Sequence, residues 1–222
     1  MMAKKKEEEK PKVNPAQSTS MKYLNRSRLA ALVDGTYAIA MTLLILEIQV
    51  PTMISEATSE VVESSILGMW PIFFDYGLSF LILGFFWLAH NKQYKHVGRT
   101  DDRYTWLTLL GLMFVVLIPF STELIGSYSD TTASEIFFHM NMLAILGFTY
   151  LQMRHVDNHR ALVDADRFEH ESFKEGMDIT KVFILVTLVG MGLSFVIPEW
   201  SNGVYLIVPL WAFIKRKMEK GS

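Results

Sequence analysis

The chain has 222 residues, half of them hydrophobic, and a formal net charge of -2. That charge argues against a nucleic-acid binder. The absence of cysteine excludes disulfides, thiolate nucleophiles and cysteine metal sites. The apolar residues gather in blocks of about 20 with few charges inside them, the length a helix needs to cross a hydrocarbon core about 30 Å thick. An all-α integral membrane protein is the expected class.

Residues 1–22 are polar and lysine-rich (MMAKKKEEEK, then PKVNPAQSTS). They lack the apolar core and small-residue cleavage site of a secretory signal. With nothing apolar to bury, they are expected to form a disordered tail. The first apolar block runs from about Leu29 to Val50, closed by Pro51 and the polar stretch TMISEATSEVVESS. The second runs from about Trp70 to His90, and the third from Tyr104 to Ile125 with Pro119 near its end. The fourth covers about Ile136 to Met153, and the fifth Ile179 to Ile197, before Pro198. The sixth is short, Val204 to Ile214, and reaches across only with Trp200 and the following basic residues as interfacial anchors.

Charge placement orients these spans. Lys and Arg accumulate on the cytoplasmic side of membrane proteins. All 21 basic residues fall in the N-terminal tail, the second–third and fourth–fifth connections with the start of the fifth span, or the C-terminus. In a six-span chain those segments share one side, which predicts cytoplasmic termini. The opposite connections are acidic: Glu56, Glu60 and Glu63, then Glu123, Asp130 and Glu135, then Glu199. An acidic rim concentrates cations at a pore mouth, although solvated loop carboxylates account for each residue singly.

The first span, RLAALVDGTYAIAMTLLILEIQVP, has more polar groups than a lipid-facing anchor needs. Asp34 lies about one and a half turns in, where a carboxylate requires a partner. Arg28 is six residues earlier, a poor spacing for a pair on one helix. Both are therefore expected to bond to other helices. Trp87, His90 and Asn91 at the end of the second span are at similar depth, with Thr108 on the third. Further along, Ile39, Thr42, Leu43 and Leu46 share one helical face. Packing against a neighbouring helix is the plainer reading of that stripe.

RLAALVD followed by GTYAIAMTLLILEI resembles the signature helix of the transmembrane protein 175 family, lysosomal potassium channels with bacterial and archaeal relatives. The signature Arg and Asp are kept as Arg28 and Asp34, while Leu32 and Val33 replace Phe and Ser. WLAHNKQY and WLTLLGLMFVVLIPFSTEL, with Trp87, His90, Pro119, Phe120 and Thr122, are similar to the family's second and third helices. Thr108 stands where the family often has Asn. The resemblance implies a homotetrameric potassium-permeable channel of moderate selectivity, in the cell membrane, with both termini cytoplasmic.

It places the six-helix channel domain at 23–216, between cytoplasmic tails at 1–22 and 217–222. The first helices would surround the pore, with Ile39, Leu43 and Leu46 as an apolar constriction and Thr42 as a hydroxyl layer. Arg28, Asp34, Trp87 and His90 would form the network holding that helix, with Asn91 and Thr108 nearby. No cofactor and no resident metal are implied, only K+ as the permeant ion; the partners are further copies of the chain, lipid and monovalent cations.

Two other classes are weighed. A coupled transporter could use Asp34, Glu47, Asp75 and Glu123 at membrane depth, but no inverted repeat or pair of interrupted helices is visible. For a membrane enzyme, His155 and His159 are four apart and could share a helix face as metal ligands. Without HExxH, and in a polar segment, they read as a solvated loop, so no enzyme activity is expected.

Overall fold

A computed structural model of the chain describes residues 26–49, 58–128 and 130–207. Among these the fold is helical: α1 (Arg26–Leu43), extended by a 3₁₀ turn at Leu44–Glu47; α2 (Ser59–Gly68); α3 (Trp70–Tyr94); α4 (Asp102–Val116); α5 (Ile118–Ser127); α6 (Thr132–Asn158); α7 (His170–Leu193); and α8 (Pro198–Ser201), followed by a 3₁₀ turn at Asn202–Leu206. Five helical segments are long and apolar enough to cross a bilayer: 26–47, 70–94, 102–127, 132–158 and 170–193. The proposed tails, and the sixth block beyond Ile207, lie outside the described residues.

The third span is broken where its proline demands it. Pro119 has no N–H to donate back along the helix, so α4 stops at Val116 and α5 starts at Ile118. The polar stretch after Pro51 was expected to be a connection only. Part of it instead folds as α2, capped by the Thr58 hydroxyl accepting from the Val61 amide. None of its residues is buried, so the apolar pattern could not reveal it. The fifth span begins nine residues before the expected Ile179, because the polar turn from His170 continues the same helix. It ends at Leu193, four residues before Ile197.

The helices share one core. Val33, Tyr37, Ala40 and Leu44 of α1 meet Leu78, Ile82, Leu83 and Phe86 of α3, with Val115, Ile118, Phe138 and Met142 behind them. α6 packs against α4, α5 and α7 and forms the middle of the bundle. A second cluster, including Leu29, Tyr94, Tyr104, Met153 and Phe173, closes one end.

At that end the 95–101 and 159–169 connections clasp each other. The Gly98 amide donates to the Leu162 carbonyl at 2.7 Å and the Asp164 amide to the His96 carbonyl at 2.9 Å. A Cβ at Gly98 would sit 3.0 Å from the Asp164 Cα, so any larger residue there would press the two connections apart by a few tenths of an ångström. Every described Lys and Arg belongs to the connections at this end, to the adjoining turns of α1, α3, α4 and α6, or to the first half of α7. Glu60, Glu63, Glu123, Asp130, Glu135 and Glu199 belong to the other end.

Asp101 fastens the clasp to the bundle. Its Oδ1 accepts from the Tyr104 amide at 2.8 Å, capping α4. Its Oδ2 lies 2.8 Å from His155 Nε2 on α6. Partial burial opposes its charge, but the Tyr104 amide and His155 prevail and hold the carboxyl below the usual aspartate value. A depressed native value stabilises the fold above the unfolded value of about 3.9 and is lost as pH falls through the native one. Asp101→Ala should cost about 1–3 kcal/mol at neutral pH. Its deficit in thermal unfolding of the detergent-solubilised protein should shrink well below about pH 3.9. A second test concerns Gly190, where a Cβ would meet His139 Cε1 at 2.6 Å and Val204 Cγ2 at 2.9 Å. Gly190→Ala should destabilise by at least about 1–3 kcal/mol through overpacking, read as a lowered melting temperature.

Candidate functional site

α1 has two unlike faces. Leu29, Val33, Tyr37, Ala40 and Leu44 recur every three or four residues and are buried in the subunit. The opposite face carries Arg28, Leu32, Gly35, Ile39, Thr42, Leu43 and Leu46, which fall within about 100° of one another at 100° per residue. Within a single chain this face is uncovered: Ile39 is 58% exposed, Leu46 70% and Leu43 36%. Thr42 donates its hydroxyl to its own helix at the Ile39 carbonyl, 2.8 Å away, which leaves its oxygen lone pairs on the open side.

Asp34 points away from that stripe, toward α3. Trp87 Nε1 donates to its Oδ1 at 2.9 Å, a charge-assisted bond between the helices. One end of α1 is held more tightly still. Arg26 Nη2 donates to the Tyr94 carbonyl at 2.6 Å, and the Tyr94 hydroxyl donates back to the Arg26 carbonyl at 2.7 Å. The guanidinium also lies 5.0 Å from the Tyr94 ring centre. Sequence reasoning singled out Arg28 and missed Arg26. The available signal was a basic residue in the first turn of the helix and a tyrosine one turn beyond His90.

Arg28 forms no ion pair with a described residue and shares the helix face of Ile39. His90 stacks on Tyr94 with ring centres 5.5 Å apart, and its Nε2 is buried without a hydrogen-bond partner. Asn91 is half-buried on the next position of α3. Thr108 is buried but donates to the Tyr104 carbonyl of its own helix at 2.9 Å, so its hydroxyl does not reach toward α1.

Of the carboxylates considered for a transporter, Asp34 stands apart, while Glu47, Asp75 and Glu123 line one small cavity at the acidic end. Asp34 is taken by Trp87, and Asp75 accepts from Asn202 Nδ2 at 2.8 Å. Glu47 and Glu123 face each other at the acidic end of α1, where Gln49 lies 3.5 Å from Glu123. His155 and His159 do share a helix face, with ring centres 4.2 Å apart. His155 faces Asp101, while His159 Nδ1 lies 2.9 Å from the His155 carbonyl. Among the described residues, no three His, Asp or Glu side chains converge as a metal site.

This arrangement has known counterparts. The family model described as endosomal/lysosomal potassium channel TMEM175 matches residues 28–119, from Arg28 through the proline that breaks the third span. A potassium channel of Chamaesiphon minutus is 31% identical over 192 residues, covering 83% of this chain and 91% of that one. The mouse endosomal/lysosomal proton channel TMEM175 is 30% identical over 118 residues, which are 51% of this chain and 24% of the mouse protein. The crystal structure of a lysosomal potassium-selective channel TMEM175 homolog from Chamaesiphon minutus has the same fold, with a TM-score of 0.71 at 26% identity over 86% of this chain and 97% of that one. The likeness to the Chamaesiphon channel runs along nearly the whole chain rather than through the signature helix alone, and this multi-pass membrane protein belongs to the TMEM175 family of potassium channels.

Proposed function

We propose that four copies of this chain form a potassium-permeable channel, with the open face of α1 lining a central pore. The observation that carries this reading is the composition of that face. A lipid-facing stripe needs only apolar side chains, whereas this one adds Arg28, Gly35 and Thr42 to Leu32, Ile39, Leu43 and Leu46. A charge and a hydroxyl on an uncovered membrane face mark a water-accessible or inter-subunit surface. Ile39, Leu43 and Leu46 would supply rings that gate by dewetting, and the Thr42 oxygens would replace part of the hydration of a passing ion. Few oxygens would be fixed around the ion, so selectivity for K+ over Na+ would be moderate.

The chain uses no cofactor in this reading; K+ is a permeant ion. The basic end of the bundle faces the cytoplasm at the cell membrane, as the positive-inside bias requires. In the six-span reading, whose last span lies mostly outside the described residues, Lys215, Arg216, Lys217 and Lys220 would fall on that same side. The acidic end, with Glu47 and Glu123 beside the end of α1, would enrich cations at the outer mouth. Val33, where the family has Ser, is 1% exposed and packs into the core, so apolar contact takes the place of a hydroxyl.

Potassium and sodium fluxes through the purified protein in liposomes test the proposal. K+ flux should exceed Na+ flux and be absent from empty liposomes. Ile39→Asn should raise flux severalfold and reduce discrimination between the ions, because it puts a polar ring at the constriction; unchanged currents would remove Ile39 from that role. Trp87→Phe deletes the donor to Asp34 and should cost about 1–3 kcal/mol of stability. A melting temperature equal to the parent's would show that this bond does not hold α1.

A further inference from the structure

At the acidic end, a buried chain of polar side chains joins α6 to the segment after α7. Glu135, 1% exposed in the first turn of α6, accepts from the Ser201 hydroxyl through Oε2 at 2.9 Å. His139, one turn further on the same face and 0% exposed, has Nε2 3.3 Å from Ser201 Oγ and Nδ1 2.7 Å from the Tyr205 hydroxyl. Ser194 adds a donor to Ser201 at 3.2 Å, and the Tyr205 hydroxyl reaches Thr187. α7 approaches so closely here that Gly190 leaves no room for a Cβ beside His139 and the Ser201 carbonyl. The site is thus enclosed by α6, α7 and the 198–206 segment.

We propose that Glu135, Ser201, His139 and Tyr205 form a proton-binding relay inside each subunit, loaded from the solution at the acidic end. Every inner member is both a donor and an acceptor. Without the extra proton, the Nδ1–H donates to Tyr205, the Tyr205 O–H to Thr187, and the Ser201 O–H to the Glu135 carboxylate, leaving the Nε2 lone pair beside Ser201 Oγ. One proton taken up at Glu135 turns the Ser201 hydroxyl round. The carboxylic O–H then donates to Ser201 Oγ, the Ser201 O–H to Nε2, the Nδ1–H to Tyr205, and the Tyr205 O–H to Thr187. One proton enters, none leaves, one O–H bond forms at Glu135, and the imidazole keeps its Nδ1–H.

The charges around the relay explain why it should take protons rather than metal cations or anions. α3 contributes Asp75, which is bonded to Asn202 and acts electrostatically on Glu135. The 198–206 segment contributes Tyr205 and the exposed Glu199, and the facing part of α7 only Ser194 and Thr187. No Lys or Arg occurs anywhere between Arg103 and Arg154 or between Lys181 and Lys215. His139 is therefore the one described group of the cluster able to carry positive charge beside two buried carboxyls. Beyond Tyr205 the relay meets the apolar core at Phe138, Met142 and Phe183, so the site stores a proton and is not a route across the subunit.

Infrared difference spectra of the full-length protein in lipid, taken between about pH 5 and about pH 8 where histidine and perturbed carboxyl groups change charge, test the assignment. A protonated-carboxyl carbonyl band should appear on acidification and be lost in Glu135→Gln. Ser201→Ala keeps both titratable groups but interrupts the relay, and should retain the band at a shifted midpoint. A band unaffected by Glu135→Gln, or a midpoint unmoved by Ser201→Ala, would overturn the proposal. If Glu135→Gln fails to fold, isotope-edited spectra of the parent with labelled glutamate replace it: a glutamate band that titrates supports the site, and a silent one sinks it. Neither readout depends on ion conduction.

Discussion

Rotation of α1 about its own axis is the constraint on which the proposed pore depends. Successive residues point 100° apart, so a turn of one position would exchange the apolar stripe for its neighbours. Two kinds of interaction set that angle. Val33, Tyr37, Ala40 and Leu44 bury one side of the helix in the subunit. The Asp34–Trp87 bond and the reciprocal Arg26–Tyr94 pair tie it to α3 at defined points. Hydrophobic packing alone is non-directional; the hydrogen bonds add the angular specificity. The consequence is that Ile39, Leu43 and Leu46 stand uncovered together, and that Arg28, six residues from Asp34, is left on the open side.

The spans were legible because the membrane separates apolar blocks from charge so strictly. Pro119 announced the break in the third span. The stripe on α1 was legible for the same reason as any amphipathic face: its spacing follows the helical period. Other features left no such trace. α2 buries nothing, and Thr58 is an ordinary cap, so a polar run concealed a helix. Arg26 and Arg28 are equivalent in sequence, and only the position of Tyr94 decides between them. Thr108 is a candidate partner for Asp34 or Arg28 by its depth alone, but a buried threonine on a helix can satisfy itself on a carbonyl four residues back, and this one does.

The Glu135–Tyr205 relay was hidden for a different reason. Its members are separated by up to 66 residues along the chain and come together only when the segment after α7 folds back over α6. Read singly, Glu135 was one acidic loop residue among several and His139 one histidine of six. The exclusion of Lys and Arg from that half of the molecule, visible in the sequence as an orientation signal, has a second effect in three dimensions. It leaves buried carboxyls to be balanced by protons and hydroxyls rather than by cations.

The clasp through Gly98 also has a mechanical meaning. Backbone hydrogen bonds between the 95–101 and 159–169 connections join two helical hairpins, α3 with α4–α5 and α6 with α7, into one frame. No backbone bond of that kind joins the described part of α1 to it. The first helix hangs on this frame by side chains, like a pillar bolted to a wall. A frame of this build can deform little, while its pillar can tilt or twist by exchanging a few side-chain contacts. Force applied at the basic end would therefore reach the stripe through Arg26 and Tyr94, the bolts nearest the clasp.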